Sequence, residues 1–65
     1  MSNVDNDIVS VIVETVMETL RISGVEGDWE SVKNDPKYLE TINDLLEFNS
    51  ESFPNEIAHI KKSLG

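Results

Sequence analysis

The sequence predicts an all-α fold, a small domain of three helices with room for an extra short helical turn between the first and second. Apolar residues repeat at helical spacing in three segments, and capping residues bracket those segments. The chain has only 65 residues, which is enough for one domain. We therefore expect a single acidic helical domain over residues 1–65, with helices at about 6–23, 36–48 and 54–64 and a short turn at about 28–34.

The first predicted helix lies in the stretch DIVSVIVETVMETLRISG. Its β-branched residues are also compatible with a buried strand, so the polar positions decide between the two structures. These positions fall at steps of three and four residues and form one solvated stripe, made of Asp7, Ser10, Glu14, Glu18 and Arg21. Asp5 is a good N-cap, and Gly24 suits the left-handed position that ends a helix. The pattern therefore favours a helix.

The opposite face of this helix is broadly apolar. It carries the side chains that we expect to mediate self-association, which are Val9, Ile12, Val13, Val16 and Leu20. Ile8 and Val11 widen this face beyond the roughly 100° that a surface helix normally buries. So small a chain gains little stability from its own core and has no cysteine for disulfides, which leaves oligomerisation. We therefore predict a helical homodimer, with the alternative that Val25, Trp29 and Val32 fold back over the face.

The two later helices have narrower apolar stripes. Asp35 followed by Pro36 is a clear helix start, and Pro54 lies in the first turn of the last helix. The last helix has the most regular stripe, made of Phe53, Ile57, Ile60 and Leu64. Trp29 lies between the first and second long helices. We expect it to plug the core, and its alternative role is that of an exposed anchor for a partner.

The chain is strongly acidic, with 13 Asp and Glu against five Lys and Arg and a formal net charge of −8. Binding to phosphates or to anionic lipids needs several basic residues on one face. The composition therefore argues against direct nucleic-acid binding and against a membrane surface. No apolar run approaches the ~20 residues of a membrane span, and the acidic N-terminus is unlike a signal peptide. We expect a cytoplasmic protein.

A row of acidic residues is the most distinctive feature of the sequence. It follows the second long helix and the loop after it, and its candidate protein-binding residues are Glu40, Asp44, Glu47 and Glu51. Successive helical turns separate such charges by about 6 Å, a scale close to that of duplex phosphates. The row would then imitate a phosphate backbone and occupy the basic groove of a nucleic-acid-binding protein. The alternative is a solvated face that only confers solubility.

The sequence offers few parts for catalysis or metal binding. It has one histidine, no cysteine and no activated-serine motif. Glu56 and His59 form a single Glu-x-x-His pair, whereas a carboxylate-bridged dimetal site needs two such pairs. We expect both side chains at a solvated helix edge. The sequence thus predicts no enzyme, no metal site and no cofactor.

These observations predict a small non-catalytic regulator or inhibitor that binds a larger protein with a basic surface stoichiometrically. Small acidic helical chains are often encoded by phages and mobile elements, as inhibitors of host or defence machinery. The alternative is an assembly protein that oligomerises through its first helix. A helix-turn-helix transcription factor is disfavoured, because the recognition helix would need basic residues that are missing.

Overall fold

A computed structural model describes residues 4–64 of the chain. This range contains four helices, which are α1 (Asn6–Ile22), α2 (Trp29–Val32), α3 (Pro36–Glu47) and α4 (Pro54–Ser63). No strand occurs between residues 4 and 64, so the predicted all-α fold is confirmed, and the predicted extra turn is the four-residue helix α2. Positions 1–3 and 65 of the predicted domain lie outside the described residues. Within the described range, no helix combines the length and apolar character of a membrane span.

Both ends of α1 are capped as the sequence predicts. Asp5 accepts hydrogen bonds through Oδ1 from the backbone N–H groups of Asp7, at 3.0 Å, and Ile8, at 3.4 Å. At the other end Gly24 adopts a φ of +94°, a left-handed conformation that glycine enters without a Cβ clash. The Val25 N–H then donates to the Leu20 carbonyl at 2.9 Å, which closes a Schellman motif. These two caps fix the length of the helix.

The shorter helices start at aspartates or prolines. Asp28 accepts a hydrogen bond from the Ser31 N–H at 3.0 Å and so starts α2, and this bond lowers the pKa of the Asp28 carboxyl. Asp35 accepts a bond of the same length from the Lys37 N–H at the start of α3. Phe53 is the N-cap of α4 and makes no side-chain capping bond. Prolines hold the first helical position of both α3 and α4, where no N–H partner is needed.

One apolar core joins all four helices. Helix α1 packs against both α3 and α4, and α3 packs against α4. Each helix contributes to the buried cluster, which consists of Ile12, Val16, Met17, Leu20, Val32, Ile42, Leu46, Ile57 and Ile60. Within this single chain, the core therefore forms around the apolar face of α1.

Most of that face is covered by the chain's own residues. Three of the five side chains expected to mediate self-association are buried in the core, namely Ile12, Val16 and Leu20, while Val9 and Val13 are half-buried. Val32 is buried with them, and Val25 and Trp29 pack against the same cluster. The segment around Trp29 thus folds back onto the core. A dimer seam made of the three buried residues would require this core to open, and homodimerisation itself stays a prediction.

Candidate functional site

The acidic surface consists of Glu40, Asp44, Glu47 and Glu51. The first three lie on α3 at helical spacing, and Glu51 lies in the turns that follow the end of this helix. All four side chains are exposed. Within residues 4–64 the ion pairs are Lys33–Glu30 and Lys61–Glu47. One carboxylate of the acidic surface, that of Glu47, thus already forms an ion pair with a lysine of α4.

The Glu47–Lys61 ion pair ties the end of α3 to α4. Lys61 Nζ donates to Glu47 Oε1 at 2.6 Å. This hydrogen bond, followed by the Coulombic attraction of the ammonium group, lowers the pKa of Glu47. Because the folded-state pKa lies below the unfolded one, the pair stabilises the fold above the unfolded pKa, and this contribution is lost as the pH falls through the folded pKa. The Glu47 side chain is exposed and that of Lys61 is partly exposed, so salt screens the interaction.

The variant Lys61→Gln should return the pKa of Glu47 to the ordinary range of glutamate. The reason is that the variant removes the ammonium group, and with it the hydrogen bond and the Coulombic attraction that lower this pKa. A carbon-13 NMR titration of the Glu47 carboxyl measures the change. Lys62→Gln is the matched control, because it removes the same charge from the neighbouring position of α4. An equal rise in both variants would show that net charge, rather than this contact, sets the pKa.

An exposed aromatic ring lies beside the acidic surface. Phe48 follows the last residue of α3, and 84% of its surface is accessible. Phe48 is the last residue of the predicted second long helix, and no role is predicted for it from the sequence. Its position was informative, because Phe48 is four residues after Asp44 and so shares the polar face of the helix. Aromatic residues are enriched in protein interfaces, and Phe48 lies between Glu47 and Glu51 in the sequence.

An apolar groove lies along the edge of α1 that carries Ile8 and Val11. It has a volume of about 250 Å³, and its walls are formed by Asp7, Ile8, Val11, Ile12, Thr15, Asn49 and Phe53. Val11 is 62% exposed at this groove, and Ile8 is half-buried. These are the two residues that widen the apolar face of α1. The wide face is therefore divided into a buried part and an open edge.

Trp29 and the Glu-x-x-His pair take no part in either surface. Trp29 is half-buried against the core, in agreement with the expected core plug. The expectation that Glu56 lies at a solvated edge is wrong. Only 7% of Glu56 is exposed, and its Oε2 accepts a hydrogen bond of 2.9 Å from the Asp5 N–H, whereas His59 is exposed. Among the described residues, no group of three or more His, Asp or Glu side chains could hold a metal ion.

Comparison of the chain with protein-family models, with curated proteins and with solved structures found no significant match.

Proposed function

We propose that this chain is a small non-catalytic regulator or inhibitor that binds a larger protein stoichiometrically through its acidic surface. The single observation that carries the proposal is an exposed row of three carboxylates on α3 that is followed by the exposed residues Phe48 and Glu51. A partner with a basic surface complements this arrangement, because its lysines and arginines pair with the carboxylates. A nucleic-acid-binding protein is one such partner.

The exposed aromatic ring favours a binding role over solubility alone. A surface that only keeps the domain soluble needs charge and gains nothing from a bare aromatic side chain. Phe48 provides an exposed aromatic ring in the same segment as Glu47 and Glu51. Cationic side chains also bind over the face of an aromatic ring, so Phe48 adds to the attraction for a basic partner.

Neutralisation of the acidic surface should abolish capture of the partner. The test uses the immobilised protein, a lysate of the cells that produce it, and quantitative mass spectrometry of the retained proteins. The triple variant Glu40→Gln, Asp44→Asn, Glu47→Gln should lose the partner, since a basic interface depends on these charges. Phe48→Ala, which changes no charge, should weaken capture about tenfold, as loss of an interface anchor does.

The matched control is the triple variant Glu18→Gln, Glu26→Gln, Glu30→Gln. It removes three charges from exposed positions outside α3 and should retain the partner. Capture by the wild type should also fall at high salt, because salt screens exposed charges. Equal retention of the same proteins by both triple variants would contradict the proposal, as would the absence of any protein enriched by the wild type.

A second candidate function is assembly through α1. The observation that favours it is the open apolar edge of this helix at Ile8 and Val11. Each copy carries a net charge of −8, so self-association should strengthen with salt as the repulsion is screened. Light scattering on a size-exclusion column at low and high salt tests this. A monomeric mass at all concentrations and both salt levels would exclude assembly.

A further inference from the structure

We propose that the groove along α1 is the docking site for a basic amphipathic helical segment of a partner protein. The inference rests on the proposed function, because it specifies the kind of segment that a protein-binding regulator would take. A bulky apolar side chain of the segment enters the groove. Lysines or arginines beside that side chain face the carboxylates of the segments that form the groove.

The groove has the size and lining for an apolar side chain. Cavities of about 150 Å³ lined by aliphatic side chains are large enough to hold benzene. This groove offers about 250 Å³, and its apolar walls come from Ile8, Val11, Ile12 and Phe53. Helical segments commonly bind in this way, with residues one turn apart inserted into an apolar groove.

The charges around the groove select a basic segment. Asp7 lines the groove, and Glu51 lies between the lining residues Asn49 and Phe53. Glu14 is exposed on α1 one turn after Val11. None of the described residues that form the walls is basic. Asp7 thus places a carboxylate in the wall of the groove, and Glu14 and Glu51 add negative charge to the two segments, α1 and the loop after α3, that supply this wall. This charge is complementary to a helix with cations beside its apolar stripe.

The same charges disfavour a second copy of this chain as the occupant. The net charge of −8 is carried by every copy, and α1 presents acidic rather than basic residues beside its apolar edge. Two such edges in contact would place like charges opposite each other. Glu51 of the acidic surface lies in the chain segment that also supplies the groove residues Asn49 and Phe53.

A titration with a synthetic peptide tests the docking site directly. The probe is a labelled peptide of leucine and lysine, about four helical turns long, with leucines at helical spacing. We expect it to shift the amide NMR signals of Ile8, Val11 and Phe53 in the nitrogen-15-labelled protein. We expect Val11→Lys to weaken binding about tenfold or more, because the variant removes an apolar wall and places a cation at the groove.

Ile22→Lys is the matched control. Ile22 is exposed on the same helix and lies outside the groove, and the variant changes the net charge by the same amount. Any loss of peptide affinity in Ile22→Lys should come only from its less negative net charge. A second control is a peptide of the same composition in which the leucines are not at helical spacing, and this peptide should bind more weakly.

Each of the following results would overturn the proposal. Equal losses in Val11→Lys and Ile22→Lys, or equal binding of both peptides, would show attraction by net charge alone. A wild-type dimer that Val11→Lys dissociates and Ile22→Lys preserves would show that a second copy occupies the groove.

If Val11→Lys still captures the lysate partner that the α3 triple variant loses, the groove inference fails and the proposed function stands. If the peptide binds in the groove and the wild type captures no lysate protein, the proposed function fails instead.

Discussion

Leu20→Ala should lower the free energy of unfolding by about 2–5 kcal/mol, the cost of truncating a buried leucine to alanine. Leu20 is 2% exposed and lies in the core cluster, so the truncation removes contacts and leaves a cavity that close packing does not refill. Native stability of about 0.05–0.15 kcal/mol per residue gives this 65-residue chain about 3–10 kcal/mol. The variant should therefore be partly unfolded at room temperature or close to it.

Ile22→Ala is the control for this effect. Ile22 is two residues further along α1 and 86% exposed, so its truncation should change stability by less than about 0.5 kcal/mol. Urea unfolding followed by circular dichroism gives both free energies. Measurement at several protein concentrations separates a core role from an interface role, since the stability of a dimer depends on concentration. A loss that appears only at concentrations where the protein associates would place Leu20 in an interface instead of the monomer core.

The helices were predictable because their signals are local. The caps Asp5 and Asp35, the prolines at the starts of α3 and α4, and the left-handed Gly24 each act on backbone groups a few residues away. The ends of the three long helices therefore agree with the prediction to within one residue, whereas α2 ends two residues before the predicted end of the short turn. The acidic surface was predictable for the same reason, since i to i+4 spacing places Glu40 and Asp44 on one face of α3.

The groove and the covering of α1 were less predictable, because helical periodicity does not identify the neighbour of each face. The pattern showed that Ile8 and Val11 widen the apolar face, and left open what covers it. Only the packing of α1 against α3 and α4 decides that Leu20 is buried while Val11 stays open. The exposure of Phe48 was not predicted, because a residue at a helix end can turn its side chain toward the core or toward solvent.

The burial of Glu56 depends on a residue far away in sequence. Asp5 is the N-cap of α1, and in a capping box the third helical residue, often a glutamate, accepts a hydrogen bond from the N–H of the cap. That position in α1 is Ile8, which cannot accept this bond and lines the groove. Glu56 of α4, 51 positions away in sequence, supplies the carboxylate in its place. The spacing of residues within α4 alone contains no sign of this contact.

Glu56→Ala should therefore destabilise the fold by about 1.5–3 kcal/mol, the range for loss of a hydrogen bond to a charged group. The variant also removes a negative charge near the N-terminus of α1, where the helix dipole favours it. Glu56→Gln keeps an oxygen that can accept the Asp5 N–H and should cost less. Glu26→Ala, at an exposed position, should be close to neutral. Urea unfolding measures the stability of each variant, and the Asp5 amide signal in NMR spectra reports whether the hydrogen bond to residue 56 is lost.

The same bond should also stabilise the groove, because it fixes the start of α1 against α4 and so positions Asp7, Ile8 and Val11. In Glu56→Ala, amide hydrogen exchange should therefore accelerate in the first turns of α1 more than in α3, as expected when one element opens locally. Glu56→Gln should leave this exchange close to that of the wild type. Uniform acceleration along the whole chain would show that the bond contributes only to global stability. Unchanged exchange together with unchanged unfolding would show that the Glu56 contact is energetically neutral, and the groove would then depend on apolar packing alone.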